Sequence, residues 1–264
     1  HKHPMNIDSM TADDLRVFAD FLSSDYDISM NTIVTNMTLM RTVCNWVRKQ
    51  GVTNNDPFFG YDMPKALYGT PYFLTIQERD QVLDADLTDD AELAEYRDMF
   101  VFQCMVGCRH SDLVTFTPKN IIDGVLEYIP IKTKGKLGDV VRVPLIPKAM
   151  AILDGHDHGD DEPIFPKHYN FKFNDAIRRI LKRAKVNRVV TVINPKTRLE
   201  EKKPISDVAT SHLARRTFIG NLYRMVKDPD LVASMSGHAK GSVAFARYRV
   251  IDDDMKKSLV ELIQ

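Results

Sequence analysis

The chain is poor in cysteine and has no long apolar run. Its three cysteines, Cys44, Cys104 and Cys108, cannot all pair, and none stands in a Cys-x-x-Cys unit. A disulfide framework, a thioredoxin-like redox pair and a cysteine zinc site are therefore not encoded. All three read as apolar helix residues. No stretch of about 18 apolar residues is present, and nothing resembles a signal peptide, so the expected setting is cytoplasmic, with no membrane partner. Internal repeats and low-complexity segments are lacking too, which excludes a solenoid or a propeller. Net charge is also missing, with 36 Lys and Arg against 36 Asp and Glu.

That balance conceals an uneven distribution. Between Phe171 and Lys227 stand fifteen Lys and Arg against four Asp and Glu, an excess of eleven positive charges. Arg178, Arg179, Lys182 and Arg216 belong to this block, which is suited to tracking a phosphate backbone. Acid collects elsewhere, from Glu78 to Asp98 and from Asp154 to Glu162. These stretches are expected to face away from any DNA. A metal-dependent nuclease built on Asp154, Asp157, Asp160 and Asp161 is set aside, because a solvated acidic turn explains that loop. His1 and His3 are given no metal role, and no metal or cofactor is expected.

With 264 residues and 44% apolar composition, the chain has the size and core material for two domains. Thr11-x-x-Asp14 reads as a capping box opening a helix with Leu15, Phe18 and Leu22 on one face. A second helix, from about residue 31 to 50, turns Val34, Met37, Met40, Cys44 and Val47 inward and stops at Gly51. Arg41, Arg48 and Lys49 lie on this unit and are candidates for contact with a DNA backbone. The stretch from Asp56 to Pro71 has no sustained period and reads as a linker, so the boundary falls near residue 70.

Beyond it, Thr75-x-x-Glu78 is another capping box. A helix carrying Leu93, Tyr96, Phe100 and Cys104 ends at Gly107, which puts Arg109 just past a helix end. Gly124–Ile131 and Asp139–Ile146 are β-rich segments predicted to form a hairpin, with Lys132 and Lys134 in its connecting loop. Phe171–Lys185 has helical periodicity, with Phe173, Ile177, Ile180 and Leu181 apolar. Residues 187–209 read as a loop or short hairpin. Ser211 opens a helix on which His212 and Arg215 are one turn apart. A short helix ends at Gly237, and residues 242–249 form a last helix with Tyr248 near its end.

Arg109, Lys132, His212, Arg215, His238 and Tyr248 together supply the groups needed to break a phosphodiester without a metal. The two guanidiniums clamp the non-bridging oxygens with a fork that never deprotonates. Tyr248 is the nucleophile; its ordinary pKa near 10 calls for a base or a strongly positive site. His212 or His238 could take that proton, and His238 could instead bond a phosphate oxygen. Lys132, with Lys134 as competitor, is the general acid for the leaving 5′-oxygen.

These motifs resemble the tyrosine recombinase, or phage integrase, family. The resemblance rests on Gly-Cys-Arg109-His-Ser-Asp112-Leu, the Ile-Lys132-Thr-Lys hairpin followed by Val-Val-Arg-Val-Pro-Leu, Ser-His212-Leu-Ala-Arg215-Arg-Thr-Phe, Ser-Gly-His238 and Phe-Ala-Arg-Tyr248. The second arginine motif is worded as in integrases of Bacteroidetes mobile elements. The His238 to Tyr248 interval is one residue longer than the commonest family spacing, and Ala214 replaces the usual leucine.

The resemblance implies a mainly α fold with a small antiparallel β-sheet: a helical, SAM-like core-binding domain over residues 4–68 and a catalytic domain over 71–264. It implies Asp112 in a supporting acidic role. It further implies a bacterial, DNA-associated site-specific recombinase that integrates or excises a mobile element through a 3′-phosphotyrosine and a Holliday junction. Its partner would be double-stranded DNA, bound by a homotetramer whose C-terminal tails are exchanged, with possible DNA-bending accessory proteins. An N-terminal arm-binding domain, common in the family, would be absent from this fragment. The alternatives are a type IB-like topoisomerase and a catalytically silent DNA-binding regulator on the same scaffold.

Overall fold

The computed structural model describes residues 6–26, 28–134, 140–156, 159–226, 228–238 and 260–261. The chain divides into two compact units: one runs to Gly69 and includes Thr191–Glu201, the other covers Thr70–Val190 and resumes at Lys202.

In the first unit, α1 (Ala12–Ser24) opens on the capping box of Thr11 and Asp14, and α2 (Met30–Lys49) is capped by Ser29. Gly51, at φ 72°, takes the left-handed turn past the end of α2. Leu15, Ile33, Met37, Cys44 and Phe58 form the core, closed by partly buried Phe18, Leu22 and Met40. The segment Thr191–Glu201 joins this unit through backbone bonds that no local sequence pattern announces. Met30 N donates to Pro195 O at 3.1 Å, and Arg198 Nη2 donates to Lys65 O at 3.0 Å.

The second unit is assembled around a buried helix. After α3 (Ile76–Leu83), capped by Thr75 and Glu78, comes α4 (Ala91–Val106), in which every side chain from Met99 to Val106 is buried. α5 (His110–Leu113) follows at once. Strands β1 (Ile121–Ile122), β2 (Val125–Tyr128) and β3 (Val141–Pro144) form an antiparallel sheet in that order, with Leu126 opposite Val143 and Tyr128 opposite Val141. Those four residues bury one face, as period-2 patterning requires. β2 stops three residues short of the expected Ile131: Pro130 cannot donate to a ladder, and Ile131–Thr133 winds into a 3₁₀ turn.

α6 (Pro147–Asp154), amphipathic α7 (Asn170–Arg183), the pair β4 (Val189–Ile193) and β5 (Glu200–Pro204), and α8 (Ile205–Val208) lead to α9 (Ser211–Val226) and α10 (Pro229–Ser236). α4 packs against α3, α6, α7 and α9. The architecture is mainly helical with small antiparallel sheets. The helix expected over residues 242–249 with Tyr248, and the tail beyond it, fall outside the described residues, apart from Val260 and Glu261.

Two glycines make the close packing of this unit possible. Gly107 has φ 69°, and a Cβ there would lie 2.2 Å from Phe218 Cδ1 on α9; at Gly220 a Cβ would lie 2.7 Å from the Phe73 ring. Gly107→Ala therefore adds left-handed strain, about 1–2 kcal/mol, to overpacking of about 1–3 kcal/mol. A urea melt should show a destabilisation in the sum of those ranges, and an unchanged midpoint would refute this account of the turn.

Candidate active site

Gly107 turns the chain sharply at the end of α4, and Cys108 leads to Arg109, which is in extended backbone before α5 begins. Arg109 thereby enters a cavity of about 300 Å³ whose lining includes Gln103, Ser211, His212 and Arg215. The next residue, His110, anchors the turn by stacking on Phe173, with ring centroids 5.0 Å apart. Burial lowers its pKa, and nearby His168 adds to the effect.

From the other side comes α9. Ser211 is fixed at its start by α7: Ser211 N donates to Asn174 Oδ1 at 2.8 Å, and its hydroxyl lies 3.2 Å from Asn170 Oδ1. One turn on, Arg215 is 3% exposed, an unusual depth for an arginine. Its Nη1 donates to Gly107 O at 2.7 Å, which ties the two arginine-bearing segments together. His212 is exposed at the cavity rim. Its pKa is lowered by desolvation and then by Arg216, Arg215 and Arg109.

His238 completes the cluster. Arg215 Nη2 lies 3.0 Å from its Nδ1 and 3.2 Å from its Nε2, and Ser236 Oγ is 2.9 Å from Nδ1. Ser236 can send its proton to Val232 O, 2.8 Å away. Its oxygen then accepts from Nδ1–H, leaving Nε2 as the acceptor for a guanidinium that can only donate. Burial, followed by Arg215, Arg109 and Lys132, pulls the His238 pKa down to about 3, so the ring is neutral at neutral pH. Ser236, two residues from His238, was not singled out in the sequence; its signal was the helix-ending Ser-Gly-His.

Lys132 and Lys134 are separated by the turn that carries them. Asp112, 1% exposed, accepts the Ile131 amide at 2.9 Å through Oδ1 and so holds the base of that turn. The charge of Lys132 is felt at His238, whereas Lys134 lines a different cavity, of about 390 Å³, with Asp112 and Tyr128. Asp112 is thus buried against the lysine turn. Cys108 departs from expectation: it is buried in the turn, not in a helix, and burial raises its thiol pKa.

The basic block is not a free cationic face, and the acid does not all point away from it. Arg179 pairs with Asp90 at 2.8 Å, Arg183 with Asp89, and Arg188 with Glu78 at 2.6 Å. Lys182 meets Asp207 at 2.8 Å, and Arg178 meets Asp175 at 3.5 Å. The cause is packing: α7 lies against α4, so the acidic turn that leads into α4 meets α7's basic face. Exposed pairs of this kind contribute about 0–1 kcal/mol each. Arg216 lies over the Tyr72 ring, 5.1 Å from its centroid. In the first unit Arg41 lies 6.0 Å from the Phe58 centroid, Arg48 pairs with Asp56 at 2.6 Å, and Lys49 is exposed. Tyr248 lies outside the described residues.

Comparison with known proteins places this geometry in context. The profile of the Phage integrase family matches residues 72–255. No curated protein matches the chain. Among solved structures, an integrase of the Tn1549 transposon in complex with circular intermediate DNA aligns with a TM-score of 0.69 at 17% identity, covering 97% of this chain and 86% of that one. A lambda integrase dimer bound to a COC′ core site gives 0.66 at 15% identity, covering 95% and 83%. XerH site-specific recombinase bound to difH gives 0.61 at 15% identity, covering 97% and 72%. At these identities the likeness is one of fold.

Proposed function

This chain belongs to the phage integrase family and is a tyrosine recombinase acting site-specifically on DNA; from that premise we propose that it cleaves and rejoins one strand at a time through a phosphotyrosine formed by Tyr248. The observation that carries the proposal is the convergence of Arg109 and Arg215, from distant parts of the sequence, on one cavity with His212 at its rim and His238 bonded to Arg215.

In that arrangement the scissile phosphate lies against the two guanidiniums, whose fixed donors meet the charge that grows on the non-bridging oxygens. The Tyr248 oxygen attacks phosphorus, forming the phosphotyrosine bond as the bond to the 5′-oxygen breaks. The phenolic proton passes to His212, and the 5′-oxygen takes a proton from Lys132. His238, neutral and bonded to Arg215, orients the fork. Asp112 sets the lysine turn, and its hold on Ile131 supports Lys132 over Lys134 as the acid. Religation runs the same steps backward, and the bond energy stays in the phosphotyrosine. Strand exchange between two duplexes requires four protomers, linked through the residues after Tyr248 and aided where needed by DNA-bending proteins. Residues 4–68, with Arg41, Arg48 and Lys49, grip the backbone outside the cleavage point. Lys134, Arg178, Arg179, Lys182 and Arg216 add phosphate contacts, the ion-paired ones by exchanging a carboxylate for a phosphate.

The test is covalent trapping on a nicked suicide duplex carrying the element's core site, with EDTA present. The expected result is a denaturant-resistant protein–DNA adduct at an undiminished rate. Dependence of the adduct on a divalent metal would overturn the mechanism.

A further inference from the structure

We propose that Gln103 is a positioning residue that orients Arg109, an inference that rests on the function proposed above. Gln103 stands in the apolar run Phe100–Val106 of α4 and is 1% exposed. A buried amide left without partners costs about 1–3 kcal/mol, so its bonds should account for its presence. Gln103 Nε2 donates to Cys108 O at 3.0 Å. A carbonyl can only accept, so this bond fixes which end of the amide is nitrogen and leaves Oε1 as an acceptor elsewhere.

Among the described residues, Oε1 is shielded from solvent and has no hydrogen-bond partner, and Arg109 Nη1 is likewise shielded and unpartnered. One group only accepts and the other only donates. Both residues line the same cavity, with Arg215 and His212. Gln103 therefore has two ties to the first arginine. Through Nε2 it holds the carbonyl of the residue just before Arg109, and through Oε1, directly or across one water, it accepts a hydrogen bond from Nη1 once a phosphate draws the guanidinium into place. The remaining edge of the fork is then directed at the phosphate oxygens. This effect belongs to the chemical step, because DNA is held mainly by contacts outside the cavity.

The test uses the full chain and the suicide duplex, with wild type, Gln103→Met, Arg109→Lys and the double variant. Methionine keeps the volume and the apolar packing while removing both ties. Adduct-formation rate, duplex affinity and thermal midpoint are measured for each. Gln103→Met is expected to slow adduct formation about tenfold with affinity within about twofold. The same substitution should cause little further loss in the Arg109→Lys background, since a residue acting through another shows non-additivity. An unchanged rate for Gln103→Met would overturn the proposal. So would a full tenfold loss repeated in the Arg109→Lys background, or a rate loss matched by a loss of affinity or by unfolding at the assay temperature. If wild type itself forms no adduct on an authenticated site, the function proposed above fails and this inference fails with it.

Discussion

Tyr248→Phe is expected to bind the core site and form no covalent adduct at all. The substitution removes one oxygen, so packing and charge are nearly unchanged, while the atom that would carry the phosphoryl group is gone. Three of the described phenols are poorly suited to take its place. Tyr128 feels both Arg215 and Arg109, yet it is buried, and desolvation drives its pKa strongly up despite them. Tyr96 is bonded to His168 at 2.9 Å and is raised by burial and by Glu92 and Glu95. Tyr72 donates to Val208 O at 2.9 Å beneath Arg216. A phenol must lose its proton to attack, and each of these is held in the neutral form. Denaturing electrophoresis of the trapping reaction reads the outcome directly. An adduct from Tyr248→Phe at the wild-type rate would remove Tyr248 as nucleophile, and peptide mapping of that adduct would name its replacement.

What could be read from the sequence divides by the range of the interaction involved. Thr11 with Asp14, and Thr75 with Glu78, are reciprocal bonds across three residues, and both form as their spacing predicts. Gly107 and Gly237 end their helices in the left-handed region for which glycine has no steric penalty. The helix bearing His212 and Arg215 spans Ser211 to Val226 as expected. The contacts missed were those made by residues remote in sequence. Nothing local to Arg179 or Arg183 signals that Asp90 and Asp89 will meet them, so a block read as positive charge contains cations already paired with acid. The partner that meets buried Asp112 is the Ile131 amide, nineteen residues on. Gln103 is legible in sequence only as a polar interruption of an apolar run; its significance depends on the Cys108 carbonyl and the cavity, which only the fold brings to it.

Arg215→Ala is expected to lower the rate of adduct formation by about 10²–10³ while leaving most of the duplex affinity in place. The argument begins with burial. A guanidinium that is 3% exposed carries a desolvation cost that only fixed partners and an incoming anion can offset. Gly107 O and His238 are the fixed partners, and they aim the side chain before any DNA arrives. Such a preorganised donor acts on charge that exists only in the transition state, so its loss appears in the chemical step. Arg215→Lys should fail almost as badly, because a single ammonium cannot bond Gly107 O, His238 and two phosphate oxygens with one fork. A second readout follows the histidine. Arg215 ranks just behind burial among the causes that depress His238, so in Arg215→Ala the imidazole pKa should rise from about 3 while staying below the ordinary 6.5, since desolvation remains. Titration of the His238 ring by NMR checks the direction: the variant should take up its proton at higher pH than wild type. An unshifted titration would mean that the two side chains are not coupled. A cleavage rate within tenfold of wild type would mean that Arg215 does not hold the phosphate.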